Sequence, residues 1–390
     1  MNRQIVHLDL DTFYVNCSLL KMPELRGLPL IIGGTSDRGV VASSSIEAQK
    51  YGVRPGMPTR VALLRCPSAK VLKGDFDLFT QKSEEINQII SESAPLHERA
   101  AIDEFYLDMT GMDKFIGSMK FTQELAQKIN HESGLPLSFG FSVNKTVAKM
   151  CTNYAKPHGS LYIDEPKVQP FLDPQSIIKL PSIGEVTYKL LRRVNIKIIK
   201  TLREIPAEAI KELVGHNGNS IWEKANGIDN TPVVPYSEKK SLSTEKTFDR
   251  DTQNIPELKA LLISMVEKLG FELRDSKLMC SIINLRIRYA NNDTETVQKR
   301  VSFTANDDVI VRCAYELFDK LYKRRMLIRL IAVKVSGLVN GNHQIHLFDD
   351  NIKLIRLYEA MDKMKHRYES PSIVRRASGL NWHTKHQNNG

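Results

Sequence analysis

The chain has 390 residues, 42% of them hydrophobic, and a formal net charge of +10. At about 150 residues per domain, this length predicts two to four domains. The basic excess favours a polyanionic partner, because each Lys or Arg placed on a phosphate releases condensed counterions. On charge alone, a basic protein without such a partner is the alternative.

The five cysteines are scattered and include no C-x-x-C pair. This spacing fits neither a disulfide framework nor a zinc site. The first residues lack the apolar core of a signal peptide, and no apolar run is long enough to span a bilayer. The sequence therefore argues against a disulfide-rich secreted domain and a membrane protein, and predicts a cytoplasmic location.

The amino-terminal part alternates strand and helix patterns. Apolar alternation predicts a strand over Arg3 to Leu10, and a short apolar run predicts a buried strand over Leu28 to Gly33. Strand or loop at 39–45 leads into a short helix at 46–51. Further strands are predicted at 99–109 and 137–142, and helices at 81–93 and 121–132. The pattern predicts a mixed fold around one sheet.

The texture changes after residue 159. Residues 164–230 are helical with short loops, and residues 233–240, rich in Pro, Ser, Glu and Lys, form a predicted linker. Strand patterns return at 280–289 and 328–335, with helices at 257–274 and 307–322. The tail after residue 339 begins with a polar turn and ends in a polar stretch.

Two acidic motifs carry the most chemistry. In HLDLD, Asp9 and Asp11 lie side by side if both are on one strand, because residues i and i+2 share a face. In AIDEFYLD, which also holds Asp108, Asp103 and Glu104 can share a site only at a bend, bulge or strand end. Carboxylates that meet at a sheet edge suit divalent cations, and two such ions can stabilise both oxygens of a phosphoryl transfer. The alternative is polar residues that only end strands.

Together and in this order, the two acidic motifs resemble the palm motifs of Y-family (translesion) DNA polymerases, nearest to the bacterial DNA polymerase IV type (the ImpB/MucB/SamB family). The resemblance runs from about residue 4 to the tail. It implies an α+β multidomain fold shaped as a right hand. The implied parts are palm (1–10 and 75–165), fingers (11–74), helical thumb with helix-hairpin-helix motifs (166–232), linker (233–240), α/β little finger (241–339) and tail (340–390).

The resemblance implies template-directed, low-fidelity synthesis that adds dNTPs to a primer 3′-hydroxyl without a proofreading exonuclease. Two Mg²⁺ ions are the implied cofactors. Asp9 and Asp103 would bridge them, Glu104 would complete the catalytic carboxylates, and the backbone carbonyl of Leu10 would be a further ligand. A small finger domain checks the nascent pair poorly, so tolerance of damaged templates is expected.

Other motifs of the resemblance concern the nucleotide. Phe13 and Tyr14 match a nucleotide-stacking aromatic and a steric gate that excludes a ribose 2′-hydroxyl. Two aromatic core residues are the alternative, and their adjacency argues against one shared core. Ser43 and Lys156 match positions that contact the triphosphate. Lys145 and Lys149 are predicted to be structural or on DNA.

The finger helix departs from the family pattern. A Tyr and an Arg usually hold the triphosphate there, whereas this chain has Ile46 and Gln49. Loss of one charge-assisted contact costs roughly 1.5–3 kcal/mol. We therefore expect weak nucleotide binding, partly offset by Lys50 or Arg54.

DNA-holding parts follow in order. LPSIGEVTYKLL resembles a helix-hairpin-helix whose Ile183-Gly184 turn offers backbone N–H groups to a phosphate, with Ser182 in place of the more usual Gly. Residues 213–228 resemble its partner. In the little finger, the resemblance assigns backbone contacts to four cations: Arg286, Arg288, Lys299 and Arg300.

QIHLF at 344–348 resembles the bacterial sliding-clamp peptide, with Gln344 fixing register and Leu347 and Phe348 filling an apolar pocket. The implied partners are primer–template DNA, dNTPs and the clamp, with a monomeric protein. The extension around 351–380 also occurs in polymerase V catalytic subunits, which leaves the subfamily open.

Two other functional classes stay open at this point. A catalytically silent, clamp-recruited DNA-binding scaffold is favoured by Ile46 and Gln49, whereas the acidic motifs and Tyr14 argue against it. A metal-dependent nuclease would use similar carboxylates but gives Phe13 and Tyr14 no purpose.

Overall fold

A computed structural model of the chain describes residues 3–112, 117–235, 238–324, 326–341 and 352–368. The chain divides into two compact units, Met1–Ser237 and Glu238–Gly390. The boundary falls within the predicted linker. Among the helices in the described ranges, none is both long and apolar enough to cross a membrane.

A five-stranded sheet organises the first unit, in the order β5-β6-β1-β7-β8. Its central strand is buried along its whole length, and it pairs antiparallel with both neighbours. The strands are β1 (Ile5–Leu10), β5 (His97–Arg99), β6 (Glu104–Asp108), β7 (Leu137–Ser142) and β8 (Ser160–Tyr162). The strands predicted at 3–10, 99–109 and 137–142 are therefore confirmed, with ends that differ by a few residues.

Three long helices accompany this sheet. The first two bury one apolar stripe and expose their polar residues, whereas the third is buried along most of its length. They are α4 (Phe76–Ser93), α5 (Ser118–Ser133) and α6 (Lys145–Ala155). The helices predicted at 81–93 and 121–132 are confirmed. An Asn144 side chain accepts a hydrogen bond from the Val147 N–H and begins α6.

The chain between α1 (Phe13–Lys21) and α4 forms a smaller sheet, in the order β3-β2-β4. Its strands are β2 (Leu30–Gly33), β3 (Val41–Ser44) and β4 (Lys70–Leu72), with the short helices α2 (Ile46–Lys50) and α3 (Thr59–Arg65). The predicted finger boundary at residue 11 cuts through one apolar core. Phe13, Val15 and Cys17 of α1 pack in the same cluster as Val6 and Leu8 of β1.

Five short helices follow, as predicted for residues 164–230. They are α7 (Val168–Leu172), α8 (Glu185–Arg193), α9 (Ile199–Glu204), α10 (Ala207–Val214) and α11 (Gly218–Ala225). The segment after α11 is fixed to the large sheet. Asp229 accepts hydrogen bonds from the Thr146 N–H and hydroxyl at 3.1 and 2.8 Å, and Val233 packs on Ile5 and Tyr106.

The second unit is an antiparallel sheet with two helices on one face. The strand order is β11-β10-β12-β9, and β13 also pairs with β10. The elements are β9 (Ser241–Thr252), α12 (Ile255–Asp275), β10 (Leu278–Tyr289), β11 (Thr294–Thr304), α13 (Asp307–Leu321), β12 (Ile328–Ser336), β13 (Val339–Asn340) and α14 (Ile352–Tyr368). The helices predicted at 257–274 and 307–322 and the strands predicted at 280–289 and 328–335 are confirmed.

The last helix of the second unit, α14, is anchored to it by a buried cation. The Arg274 guanidinium donates to the carboxylates of Asp307 and Asp362 at 2.7 and 2.6 Å. The ring of Tyr358 stacks on the same guanidinium, 4.7 Å from its carbon. The extension after residue 350 therefore contains a helix that packs on the second unit.

Candidate active site

Three carboxylates meet at one end of the large sheet. The antiparallel register of β1 and β6 sets Asp9 opposite Glu104, the first residue of β6. Asp103 precedes that strand, and its carbonyl accepts a hydrogen bond from the Leu10 N–H at 3.0 Å. Asp103 and Glu104 therefore share this region because they lie at a strand end, which was the condition set by the sequence.

The expectation that Asp9 and Asp11 lie side by side on a strand is wrong. Strand β1 ends at Leu10, and the chain turns at Asp11. The Asp11 carboxylate accepts hydrogen bonds from the Ser138 hydroxyl and from the His158 N–H, the latter at 2.7 Å. Because protein donors occupy it, Asp11 does not join the metal-ligating group.

Two lysines neutralise the cluster. Lys156 Nζ lies 2.6 Å from Asp9 Oδ2, and Lys149 Nζ lies 2.6 Å from Glu104 Oε2. Burial raises the pKa of Asp9 to about 6, although Lys156 lowers it. His7 and Lys149 lower the pKa of Glu104 to about 2, although its burial opposes them. Lys149 thus has a direct role at the carboxylates, and Lys145 pairs instead with Glu98 at 2.5 Å.

His7 belongs to this cluster although sequence reasoning missed it. The atoms that His7, Asp9 and Glu104 could offer to a cation lie within 4.8 Å of one another. The Thr152 hydroxyl lies 2.9 Å from His7 Nδ1, and His7 Nε2 lies 3.8 Å from Glu104 Oε2. Burial lowers the pKa of His7, which keeps it neutral. The signal in the sequence that could have identified His7 is its place as a polar residue within an otherwise largely apolar strand.

The donor set fits a hard divalent cation. The carboxylates of Asp9 and Glu104 converge with Asp103 beside them, and Mg²⁺ prefers oxygen ligands. Burial and, after it, the neighbouring charge of Glu104 raise the pKa of Asp103. His7 Nε2 has no hydrogen-bond partner in the described part of the chain.

Tyr14 lies in an aromatic group next to the turn at Asp11. Its ring centroid is 4.7 Å from that of Phe79 and 6.1 Å from that of Phe76, both from α4. Phe13 is buried, with 2% of its surface exposed. The argument that adjacent aromatic residues would not share one core is wrong, because on a helix both contact the same cluster. Burial of Phe13 leaves Tyr14 as the ring that can contact a sugar.

Some of the groups expected to contact the triphosphate are free to do so, and others are hydrogen-bonded to the backbone. The first turn of α1 has no capping side chain and no acidic residue, so its N–H groups suit an anion. Ser43 is buried on β3. The Gln49 amide donates to the Ser44 carbonyl at 2.9 Å, and Arg54 donates to the carbonyls of Gln49 and Val53, each at 2.8 Å. Arg54 is thus hydrogen-bonded to the backbone, and Lys50 is the exposed cation of α2.

The predicted hairpin turn lies before α8. Ile183 is buried, and Gly184 lies just before the helix, whose start has no capping side chain. Ser182, which replaces the more usual Gly, adopts φ +82°, a region that disfavours side chains. Lys224 donates to the Ser182 hydroxyl at 2.7 Å, which ties the two predicted hairpin motifs together.

The four cations assigned to the second unit do not share one face. On β10, Ile283 and its alternate neighbours are buried under the helices, whereas Arg286 and Arg288 lie on the other face. Arg300 pairs with Ile282 in register and joins that open face, where Arg286 pairs with Glu245. Lys299 pairs in register with Ile283 and forms an ion pair with Glu316 of α13. Lys299 therefore lies on the opposite side of the sheet from the other three cations.

The clamp-binding residues Gln344, Leu347 and Phe348 lie outside the described residues. The clamp interaction stays a prediction from the sequence.

Comparisons with known proteins give the family. Sequence models described as the impB/mucB/samB family and its C-terminal domain match residues 8–153 and 239–347. DNA polymerase IV of Dehalococcoides mccartyi is 33% identical over 375 residues, which cover 95% of this chain and 96% of the relative. DNA polymerase IV of Halorhodospira halophila is 33% identical over 352 residues, covering 89% and 98%.

Solved structures agree on the fold. A Y-family DNA polymerase chimera superposes with a TM-score of 0.77 at 23% identity, covering 87% of this chain and 100% of that one. Dbh DNA polymerase in an insertion ternary complex superposes with a TM-score of 0.64 at 22% identity, with the same coverage. With both halves of the family pattern matched and its acidic motifs brought together at one sheet end, the chain belongs to the impB/mucB/samB family.

Proposed function

We propose that this chain is a translesion DNA polymerase that performs nucleotidyl transfer with the carboxylates of Asp9, Asp103 and Glu104. The observation that carries the proposal is the register of β1 and β6, which places Asp9 opposite Glu104 with Asp103 one residue away. The curated relatives are DNA polymerases IV of nearly the same length. Substrates of the proposed reaction are a primer–template and dNTPs.

The carboxylates at the end of the large sheet are the proposed metal ligands. Asp9, Asp103, Glu104 and the carbonyl of Leu10 would hold two Mg²⁺ ions. When bound, such ions lower the pKa of the primer 3′-hydroxyl and neutralise charge on the attacking and leaving oxygens. Lys149 stays paired with Glu104 and fixes the orientation of that carboxylate.

The triphosphate is assigned to the side of Lys156 and the first turn of α1. Lys156 is one-third exposed and offers a point charge beside Asp9. The uncapped N–H groups of α1 add the positive end of the helix dipole. Tyr14, which follows in the same turn, would meet the sugar of the nucleotide bound there.

The proposed contacts to the DNA backbone lie outside the carboxylate site. Gly184 offers an uncapped helix start to a phosphate of the duplex. In the second unit, Arg286, Arg288 and Arg300 share the open face of the sheet and would follow a backbone without reading sequence. The QIHLF peptide would bring the enzyme to a sliding clamp, and no residue is assigned to a proofreading exonuclease.

The direct test is primer extension on templates with and without an abasic site, in Mg²⁺. We expect short, distributive products on both templates and no shortening of the primer. Tight, salt-sensitive DNA binding without extension would contradict the proposal and favour the silent scaffold. Primer degradation would instead favour the nuclease.

The scaffold is the second candidate because of Gln49. Its amide is directed to the Ser44 carbonyl, so the helix presents no cation at that position. Gln49→Arg should restore a charge-assisted contact of roughly 1.5–3 kcal/mol, which lowers the KM for dNTP by about 10- to 100-fold. The measurement is steady-state insertion of one nucleotide.

Glu47→Gln is the matched control for Gln49→Arg, because it changes the charge of the same helix by the same amount. It should leave the KM within about twofold of the parent value, since exposed charges contribute little. Equal effects of both substitutions would show that overall charge, rather than a contact at position 49, sets nucleotide affinity.

The pKa of Asp9 sets a pH limit on metal binding. This carboxyl titrates at about 6 instead of 3.8, because burial outweighs the attraction of Lys156. Above that pH the Asp9 carboxyl is ionised, and Mg²⁺ does not have to displace a proton from it. Below that pH, Mg²⁺ must displace one proton, so each pH unit should raise the half-saturating Mg²⁺ concentration about tenfold. Glu104, with a pKa of about 2, stays ionised throughout.

The measurement is an Mg²⁺ titration of the extension rate between about pH 7.5 and pH 5.5. Comparing half-saturating concentrations, instead of rates, separates metal binding from deprotonation of the primer hydroxyl. The same half-saturation at both ends of this range would contradict a metal role for Asp9.

A further inference from the structure

The buried carboxylate of Asp11 holds a turn of the chain that is distant in sequence. Only 4% of Asp11 is exposed, and both of its carboxylate oxygens accept from the Ser138 hydroxyl, at 3.0 and 2.9 Å. Oδ2 also accepts from the His158 N–H at 2.7 Å. Because the hydrogen bonds to the Asp11 carboxylate come from Ser138 of β7 and from the turn at 156–159, the carboxylate connects these two segments to the end of β1.

The turn at 156–159 has little freedom once Asp11 holds it. His158 adopts φ +55°, a left-handed conformation that a non-glycine residue leaves readily. The Gly159 N–H is 3.3 Å from the Ser138 hydroxyl, and the Gly159 carbonyl accepts from the Phe139 N–H at 3.1 Å. A Cβ at Gly159 would lie 2.1 Å from the Ala155 carbonyl oxygen, so the chain passes close to the end of α6.

Lys156 begins this turn and reaches the catalytic carboxylates. Its backbone N–H completes the last turn of α6 by donating to the Thr152 carbonyl at 3.1 Å. Its ammonium lies 2.6 Å from Asp9 Oδ2. A lysine side chain is long and flexible, so the position of its charge depends on a backbone that is fixed on both sides. Helix α6 fixes one side, and the Asp11 hydrogen bond to His158 fixes the other.

We propose that Asp11 is a positioning residue that keeps the turn at 156–159 in place and thereby directs the Lys156 ammonium to the nucleotide triphosphate. This inference rests on the proposed contact between Lys156 and the triphosphate. Asp11 acts through the backbone and binds neither metal nor nucleotide. Loss of its carboxylate leaves the His158 N–H without an acceptor and lets the turn relax, whereas Asp9, Asp103 and Glu104 keep their strand positions.

The test uses Asp11→Ala in the full chain, with single-nucleotide insertion on a primer–template. We expect the KM for dNTP to rise about tenfold and kcat to stay within about threefold, because ground-state positioning of the triphosphate is lost while the metal ligands remain. The half-saturating Mg²⁺ concentration should not change. A large rise in that concentration would overturn the inference by making Asp11 a metal ligand.

Asp229→Ala is the matched control. Asp229 likewise accepts from backbone N–H groups and hydroxyls in the same unit, those of Thr146 and those of Thr231. It should lower thermal stability by a similar amount and leave the KM for dNTP unchanged. If Asp11→Ala does not fold, Asp11→Asn keeps the shape and one acceptor, and a smaller rise in KM is expected. Equal KM effects at both positions would show a general loss of stability and overturn the inference.

A double-mutant cycle with Lys156→Ala decides whether Asp11 acts through Lys156. The double variant should have the KM of Lys156→Ala alone, within about twofold, because one function cannot be lost twice. Multiplied effects would overturn the inference. A normal KM for Lys156→Ala itself would also overturn it, and would show that the triphosphate assignment of Lys156 had failed while polymerase activity remained.

Discussion

Asp103→Ala/Glu104→Ala should abolish primer extension. Each ion stabilises transition-state charge by several kcal/mol, so the loss of two ligands should slow nucleotide addition on the order of a thousandfold or more. Single-turnover extension with saturating dNTP and Mg²⁺ measures this rate directly. DNA affinity should stay near the parent value, because the assigned DNA contacts lie elsewhere.

Asp108→Ala provides the control on the same strand. Asp108 lies at the opposite end of β6, opposite Ile5, and its carboxylate accepts from the Thr110 N–H at 3.0 Å. It should cost some stability and leave the rate of nucleotide addition within about threefold. Extension that persists in the double variant, or is lost equally in Asp108→Ala, would refute the assignment of the metal site.

Tyr14→Ala should open the sugar side of the nucleotide site to ribonucleotides. We expect the ratio of kcat/KM for dNTP to that for rNTP to fall on the order of a hundredfold, because discrimination here is steric exclusion of one hydroxyl. Insertion of matched dNTP should change far less. Paired single-nucleotide insertion assays with the two nucleotides give the ratio.

Tyr14→Phe tests whether the ring or its hydroxyl excludes ribose. The ring rests on Phe79 and Phe76, and these contacts survive the substitution, so discrimination should be retained. If Tyr14→Phe were as permissive as Tyr14→Ala, a hydrogen bond of the phenol would be the source of selectivity. Unchanged discrimination in Tyr14→Ala would remove Tyr14 from the gate.

Much of the fold was accessible from local patterns. Strand β1 was predicted from the alternation of apolar and polar residues, although all six of its residues are buried in the structure. Glu104 is the first residue of β6 and Asp103 precedes it, so the two residues lie at a strand end, as the sequence required for a shared site. Both inferences needed nothing beyond the periodicity of a strand.

The rest depended on tertiary partners. Asp11 was misplaced because the end of β1 is set by its neighbours, and the carboxylate finds its donors in residues 138 and 158. The same limit applies to Lys299, whose face follows from the register with Ile283, and to Phe76 and Phe79, which support Tyr14 from another helix. No local spacing encodes which distant segment meets which.

The central position of β1 has a consequence for dynamics. Both edges of this strand are hydrogen-bonded, to β6 and to β7, and its side chains are buried on both faces. Its amide hydrogens should therefore exchange with deuterium only when the whole unit opens, while short segments such as α2 exchange through local openings. We therefore expect local opening of α2 to leave the spacing of Asp9 and Glu104 unchanged, because the pairing of β1 with β6 sets that spacing.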